Sequence, residues 1–436
     1  MFSRSTRALF LIFAIGWLAI GCEDAQVVDD EPAGLPTGYW GASITLPGGN
    51  IETGIEISRD GDTYTASLVN GQERVRIDEV RFANGELVLR FPAFNNEIRA
   101  SLTDGTLVGE LTLVKRSGDT QSMPFSASPG NMGAGETGPS ASHDLSGRWA
   151  VRFHEPDGTD SASIGEFAQR GSRLFGTFLN PNGDHRFLAG HVRGNDFHLS
   201  TFDGAHAFIF SGTVNDTGDI VDADFWSGTS WHQTWSANRD MTVELPDAFS
   251  RTWLKPGYEK FDFEFPNENG TIVTLNDEKY RDKVVMVTLA GTWCPNCNDE
   301  ARYLAPFYDE YRDQGLEIVA LMFEHFEDEA IAAEQVRAFR AKHGIEYDTL
   351  IAGISDKEEA SRKLPSLSAV LAFPTTIFID RDGRVRKIHT GFSGPGTGEH
   401  FVELQNQFTE LVTTLLAEPA DLIESLTGGE EPTDET

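Results

Sequence analysis

Cys294-Pro295-Asn296-Cys297 is the stretch of this 436-residue chain whose residue types and spacing can do chemistry. A cysteine at a helix N-terminus sits at the positive end of the helix dipole, among amide N–H groups that lack helical partners. Both features favour thiolate over thiol, and only the thiolate attacks a disulfide. Pro295 suits the first helical turn, where its missing N–H is not needed. The spacing puts Cys297 one turn along, close enough to resolve a mixed disulfide and release a substrate. Three other readings of the pair exist. A zinc site lacks two further thiolates, and His325 and His343 show no finger-like spacing. A structural disulfide across so short a loop would contribute little entropy. The third is an inert remnant of a redox fold. In the redox reading the dithiol itself carries two electrons, so no bound cofactor is required.

The elements that must position this pair are legible around it. Residues 284–290 form a nearly continuous apolar run, the pattern of a strand buried on both faces. After the cysteines, Leu304, Phe307, Tyr308 and Tyr311 recur at helical spacing on one face. Residues 316–323 read as a second buried strand, and 327–343 as a helix with Ile331, Val336 and Phe339 pointing inward. A hairpin is expected over 375–389 around Arg381-Asp382-Gly383-Arg384, then a closing helix over 401–416. Ahead of all these, Glu268-Asn269-Gly270 signals a hairpin between residues 261–265 and 271–275.

Upstream the texture is different. Residues 38–128 alternate in short runs separated by turn signals, Asn84-Gly85 and Asp104-Gly105 among them. Residues 75–80 and 87–91 have the period of half-buried strands. A Gly/Ser/Pro linker follows over 129–144. The pattern restarts at Leu145-Ser146-Gly147-Arg148-Trp149, echoing Gly38-Tyr39-Trp40, and runs to residue 239, so a duplicated β module is expected. The second module carries six of the eleven histidines (His154, His185, His191, His198, His206 and His232) and three tryptophans, Trp226, Trp231 and Trp235. No pair has a tight metal spacing, so half-exposed histidines on a sheet face with tryptophans in the core is the expectation. The fold class is multidomain: two antiparallel β-rich modules, then an α/β domain over 258–418 and an acidic tail over 419–436.

Residues 1–21 read as an export signal, with Arg4 and Arg7 ahead of an apolar run too short to span a bilayer. The end of this segment, Leu18-Ala19-Ile20-Gly21-Cys22, resembles the lipobox of bacterial lipoproteins. That resemblance implies that Cys22 is lipidated and tethers the chain to a membrane. Residues 22–37 look like an acidic, solvated spacer. A formal net charge of −33 excludes nucleic-acid binding through a basic face.

Strand, CxxC, helix, strand, helix, hairpin, helix is a thioredoxin-type order. Trp293-Cys294-Pro295-Asn296-Cys297 together with Ala372-Phe373-Pro374-Thr375-Thr376 resembles the TlpA/ResA-like branch of the thioredoxin superfamily, over about residues 258–418. These are exported, often membrane-anchored thiol-disulfide oxidoreductases. The resemblance implies that Cys294 is the nucleophile and Cys297 the resolving thiol. It also implies that Trp293 packs beside the dithiol, that Pro374 is a cis-proline forming the substrate ledge, and that Glu300 moves protons. By the same resemblance the partners are disulfide-containing protein substrates and a membrane thiol electron donor. Leu289-Ala290 replaces a common aromatic pair, and Asn298-Asp299 a frequently basic position. Those changes remove positive charge near the thiol and predict a reducing rather than a strongly oxidising couple.

Two rival functions stand beside this one. A peroxidase of the same fold would resemble Pro-x-x-x-Thr-x-x-Cys, but Val287 and Gly291 hold the proline and threonine positions. Alternatively, the β modules bind a ligand or partner while the redox domain is accessory or inactive.

Overall fold

Paired turn residues organise the first half of the chain. At Asn84-Gly85 and Asp104-Gly105 both residues have positive φ, 53° and 77° in one turn and 50° and 77° in the other. That is the hairpin-turn geometry whose twist matches the strands it joins. The computed structural model describes residues 34–115, 118–130, 139–155 and 157–419. Within them, nine antiparallel strands form the first sheet, and Gly38–Leu46 pairs with both Gly49–Asp60 and the last strand, Thr120–Pro129. The two edges of this half-barrel are Glu73–Arg76 and Glu79–Ala83. The run over 75–80 is therefore two strands rather than one. The chain breaks at Ile77, whose side chain turns into the core while its N–H bonds the Ala66 carbonyl.

The second module closes completely. Gly147–His154 pairs with Asp160–Arg170 on one side and Trp231–Arg239 on the other, and Asp160–Arg170 pairs with Arg173–Asn180. Eight strands make a barrel small enough to be filled by side chains. Phe178 stacks on Phe210, and Phe210 on Phe225, each at 4.3 Å, with Phe153 and Trp235 around them. His185 is half-buried, but its ring does not lie on a solvated sheet face. It lies inside the barrel, 5.3 Å from both Phe210 and Phe225, and burial lowers its pKa to about 4. Of the tryptophans, Trp235 is in the core, Trp226 stacks on His232, and Trp231 is 46% exposed.

Trp40 and Trp149 hold equivalent places in the two modules. Each is buried, follows a glycine of φ near +115° by two residues, and donates its indole N–H to the carbonyl four residues earlier, Pro36 or Leu145. The modules also share a core, because Phe202, Ala207 and Ile209 on the barrel wall pack into the half-barrel.

The last third is a five-stranded sheet in the order Asp348–Ile354, Leu316–Glu324, Val284–Ala290, Thr375–Ile379, Val385–Thr390. The first three strands are parallel, Thr375–Ile379 runs antiparallel to the central strand, and Val385–Thr390 runs antiparallel to Thr375–Ile379. All seven residues of Val284–Ala290 are buried, as a central strand between helices requires. The helices are Pro295–Tyr311, Glu329–His343, Lys357–Lys363 and Glu399–Ala417. Ile331 is not inward but 43% exposed. The buried stripe of its helix runs through Ala332, Val336 and Phe339, and Ile331, five residues before Val336, falls off it. Asp348–Ile354 and Lys357–Lys363 are additional to the expected order. An edge strand interrupted by Gly353 needs no continuous apolar run, so its pattern is weak.

Candidate active site

Strand register brings the two motifs of the site together. Leu289, near the end of the central strand, lies opposite Thr375, so the Cys294 loop and Pro374 emerge side by side. Cys294 caps the helix Pro295–Tyr311 with extended backbone, φ −93° and ψ 114°, and its Sγ accepts the Cys297 N–H at 3.2 Å. Both thiols are free. Cys294 Sγ also donates to the Phe373 carbonyl at 3.4 Å, and the Phe373–Pro374 peptide is cis. Trp293 donates its indole N–H to the Phe323 carbonyl at 2.7 Å and stacks on His325 at 4.6 Å. Gly291 makes this possible, since a side chain there would run into both the indole and the Phe323 carbonyl.

Cys297 is buried, which pushes its thiol pKa well above the ordinary range; its hydrogen bond with Cys294 and the nearby charges of Cys294 and Glu300 add to the rise. Glu300 is 1% exposed. Its carboxyl accepts hydrogen bonds from Thr288 at 2.5 Å and Thr376 at 2.6 Å. Burial raises its pKa to about 7, and the two hydroxyls offset part of that rise. A carboxyl poised near neutral pH beside a high-pKa thiol can accept the thiol's proton.

Sequence reasoning missed a second buried acid. Glu324 ends the strand Leu316–Glu324 and accepts the Thr292 N–H at 3.0 Å and its hydroxyl at 2.6 Å. Its pKa is likewise raised by burial to about 7. A glutamate closing the apolar run of residues 318–323 was the available signal. Asn298 fastens the same loop, donating to the carbonyls of Thr292 and Cys294 and receiving His343 Nε2 at 2.9 Å.

The dithiol helix meets the barrel through a buried ion pair. Asp299 is buried and bonded to Arg186, which the barrel contributes. A buried carboxylate requires a counter-charge, and the nearby sequence offers only Arg302, at 3.3 Å. Arg186 itself is buried, with Glu73 at 3.1 Å and Asp203 at 3.3 Å. Nothing in the local pattern around Arg186 marked it. Thus Trp293, Cys294, Cys297, Glu300 and Pro374 are brought into one place, while Cys22 lies outside the described residues.

A family model described as the AhpC/TSA family matches residues 256–388. The thiol-disulfide oxidoreductase ResA of Halalkalibacterium halodurans is 26% identical over 154 residues, covering 35% of this chain and 79% of that protein. ResA of Geobacillus thermodenitrificans is 31% identical over 141 residues, covering 32% and 72%. Among solved structures, a secreted thiol-disulfide isomerase from Corynebacterium glutamicum aligns at 17% identity and a TM-score of 0.30, covering 40% of this chain and 97% of that one. No helix among the described residues is long and apolar enough to cross a membrane. With a free CxxC dithiol capping a helix beside a cis-proline, and a relative of this identity and coverage, the chain belongs to the TlpA/ResA-like thiol-disulfide oxidoreductases of the thioredoxin superfamily.

Proposed function

We propose that the chain is an extracytoplasmic reductase of protein disulfides working through Cys294 and Cys297, with residues 258–418 as the catalytic domain. The observation that carries this reading is a pair of free thiols at a helix N-terminus above a buried carboxyl whose pKa lies near 7. Cys294 thiolate attacks one sulfur of the substrate disulfide, and the other leaves as a thiolate. Cys297 then attacks Cys294 Sγ, forming the Cys294–Cys297 disulfide and releasing the second substrate sulfur. Two electrons pass to the substrate. Glu300 takes the proton that Cys297 must lose, and Trp293 and Pro374 wall the site where the mixed disulfide forms. A thiol donor, a membrane carrier in this reading, returns the two electrons. Lipidation at Cys22 would hold the chain at that membrane.

Reduction of insulin by the full chain with dithiothreitol as donor tests the proposal. Activity that disappears in Cys294→Ser supports it, and an inactive wild type with intact fold rejects it in favour of a binding protein. A reduction potential near −120 mV, that of a strong oxidant, would reject the reducing direction. The AhpC/TSA match favours a second reading, a peroxidase. Turnover of hydrogen peroxide at a rate exceeding insulin reduction would establish it.

A further inference from the structure

The thiol that must meet the substrate is largely hidden. Cys294 is 5% exposed, and Pro295 and Gly391 beside it are buried. The barrel reaches the loop that carries Cys294. Its strand Arg173–Asn180 turns through Pro181-Asn182 into the short strand Gly183–Asp184. A side chain at Gly183 would overlap the Asn296 amide, inside the CPNC motif. A side chain at Gly391 would come within 2.9 Å of the Asn182 backbone, and the Gly391 N–H bonds the Pro374 carbonyl at 2.9 Å. The hairpin therefore touches both sides of the cleft that holds Cys294: the dithiol loop, and the segment paired with Pro374.

This hairpin is fastened rather than loose. Asp184 accepts the Gly394 N–H at 2.7 Å, and Arg251 donates to the Pro181 carbonyl. Arg186 binds Asp299 on the dithiol helix, Glu73 on the half-barrel and Asp203 on its own barrel. Pulling Arg186 away would strand buried carboxylates without their counter-charge, so the hairpin resists opening.

We propose that the hairpin of residues 180–186 is a fixed wall of the dithiol cleft that sets its substrate class: disulfides carried on flexible, extended polypeptide, in preference to disulfides on folded surfaces. Thiol exchange brings the attacking sulfur directly onto a substrate sulfur. A folded surface carries its surroundings into the hairpin at that approach, whereas an extended segment can pass alongside it. The inference rests on the reading of the dithiol as a disulfide reductase.

The test uses the full chain with dithiothreitol as donor. Its substrates are a short flexible peptide closed by one disulfide, and native α-lactalbumin as the folded probe. The wild type is expected to favour the peptide at least about tenfold. Asn182→Gly, which loosens the tip, and Arg186→Gln, which releases the anchor, should each raise the folded-to-peptide rate ratio several-fold, with circular dichroism reporting the fold. Equal rates in the wild type, or an unchanged ratio in both folded variants, would overturn the proposal. Alkylation of wild-type Cys294, followed on its peptide by mass spectrometry, supplies a readout without turnover. A polyethylene-glycol maleimide should lose far more rate relative to iodoacetamide in the native protein than in urea, and an equal loss overturns the wall. If neither disulfide is reduced while alkylation stays size-dependent, the reductase reading fails and the wall stands.

Discussion

Glu300 accepts a hydrogen bond from the Thr376 hydroxyl at 2.6 Å, two residues beyond Pro374. With Thr288 bonded to the other oxygen, one buried carboxyl ties the dithiol helix to the central strand and to the strand that follows Pro374. The group whose charge adds to the raised pKa of Cys297 therefore also fixes the spacing between the two halves of the site.

Replacing that carboxyl separates the two roles. Glu300→Gln keeps a hydrogen-bonding group but cannot take a proton, so disulfide reduction should fall about 100-fold. The inflection near pH 7 in the rate profile should vanish as well. Insulin reduction measured across neutral pH checks both, and a preserved inflection would show that another group titrates.

Cys294→Ser should abolish reduction, because the remaining thiol, Cys297, is buried and its pKa is raised. Cys297→Ser should retain the first attack and stop there, since the resolving thiol is gone. Mixed disulfides should then accumulate and be identifiable by mass spectrometry. Recovery of the same adducts from Cys294→Ser would reverse the assignment of the two thiols.

Glu324 makes stability depend on pH with a definite sign. Its folded pKa, about 7, lies above the ordinary value of 4.5, so the folded state favours the neutral acid. The stability this contributes is full below pH 4.5 and is lost as pH rises toward 7, a change of roughly 3 kcal/mol. Glu324→Gln cannot ionise, so its stability relative to wild type should rise across that window in urea unfolding. A constant difference would mean that Glu324 is already ionised in the fold.

His185 gives the opposite slope. Its pKa of about 4 lies below the ordinary 6.5, so its contribution is present above pH 6.5 and lost as pH falls toward 4. Its Nδ1 has no hydrogen-bond partner among the described residues. His185→Phe should stabilise the barrel, and the gain should grow by roughly 3 kcal/mol between neutral pH and pH 4. Thermal unfolding at the two pH values measures it.

The parts of the site legible in the sequence are those set by nearby residues. The buried strand Val284–Ala290, the proline in the first helical turn and the thiol spacing are each written within a few positions. Glu300 was readable as a position but not as a buried acid, because the hydroxyls that bury it come from Thr288 and Thr376, 12 and 76 residues away. Glu324 was hidden for the same reason, its partner Thr292 lying 32 residues earlier. Ile331 misled because apolar character alone does not place a residue on the buried stripe of a helix.

By itself, then, the sequence determined that a reactive dithiol caps a helix after a buried strand and that two strand-rich segments precede it. Periodicity and local capping suffice for that. Only the tertiary structure decided the charge and the access of the site. Arg186 stands 113 residues from Asp299, and the hairpin of residues 180–186 approaches the CPNC loop only once the barrel has closed and packed. Burial makes a carboxylate demand a partner, and the chain met that demand from another module.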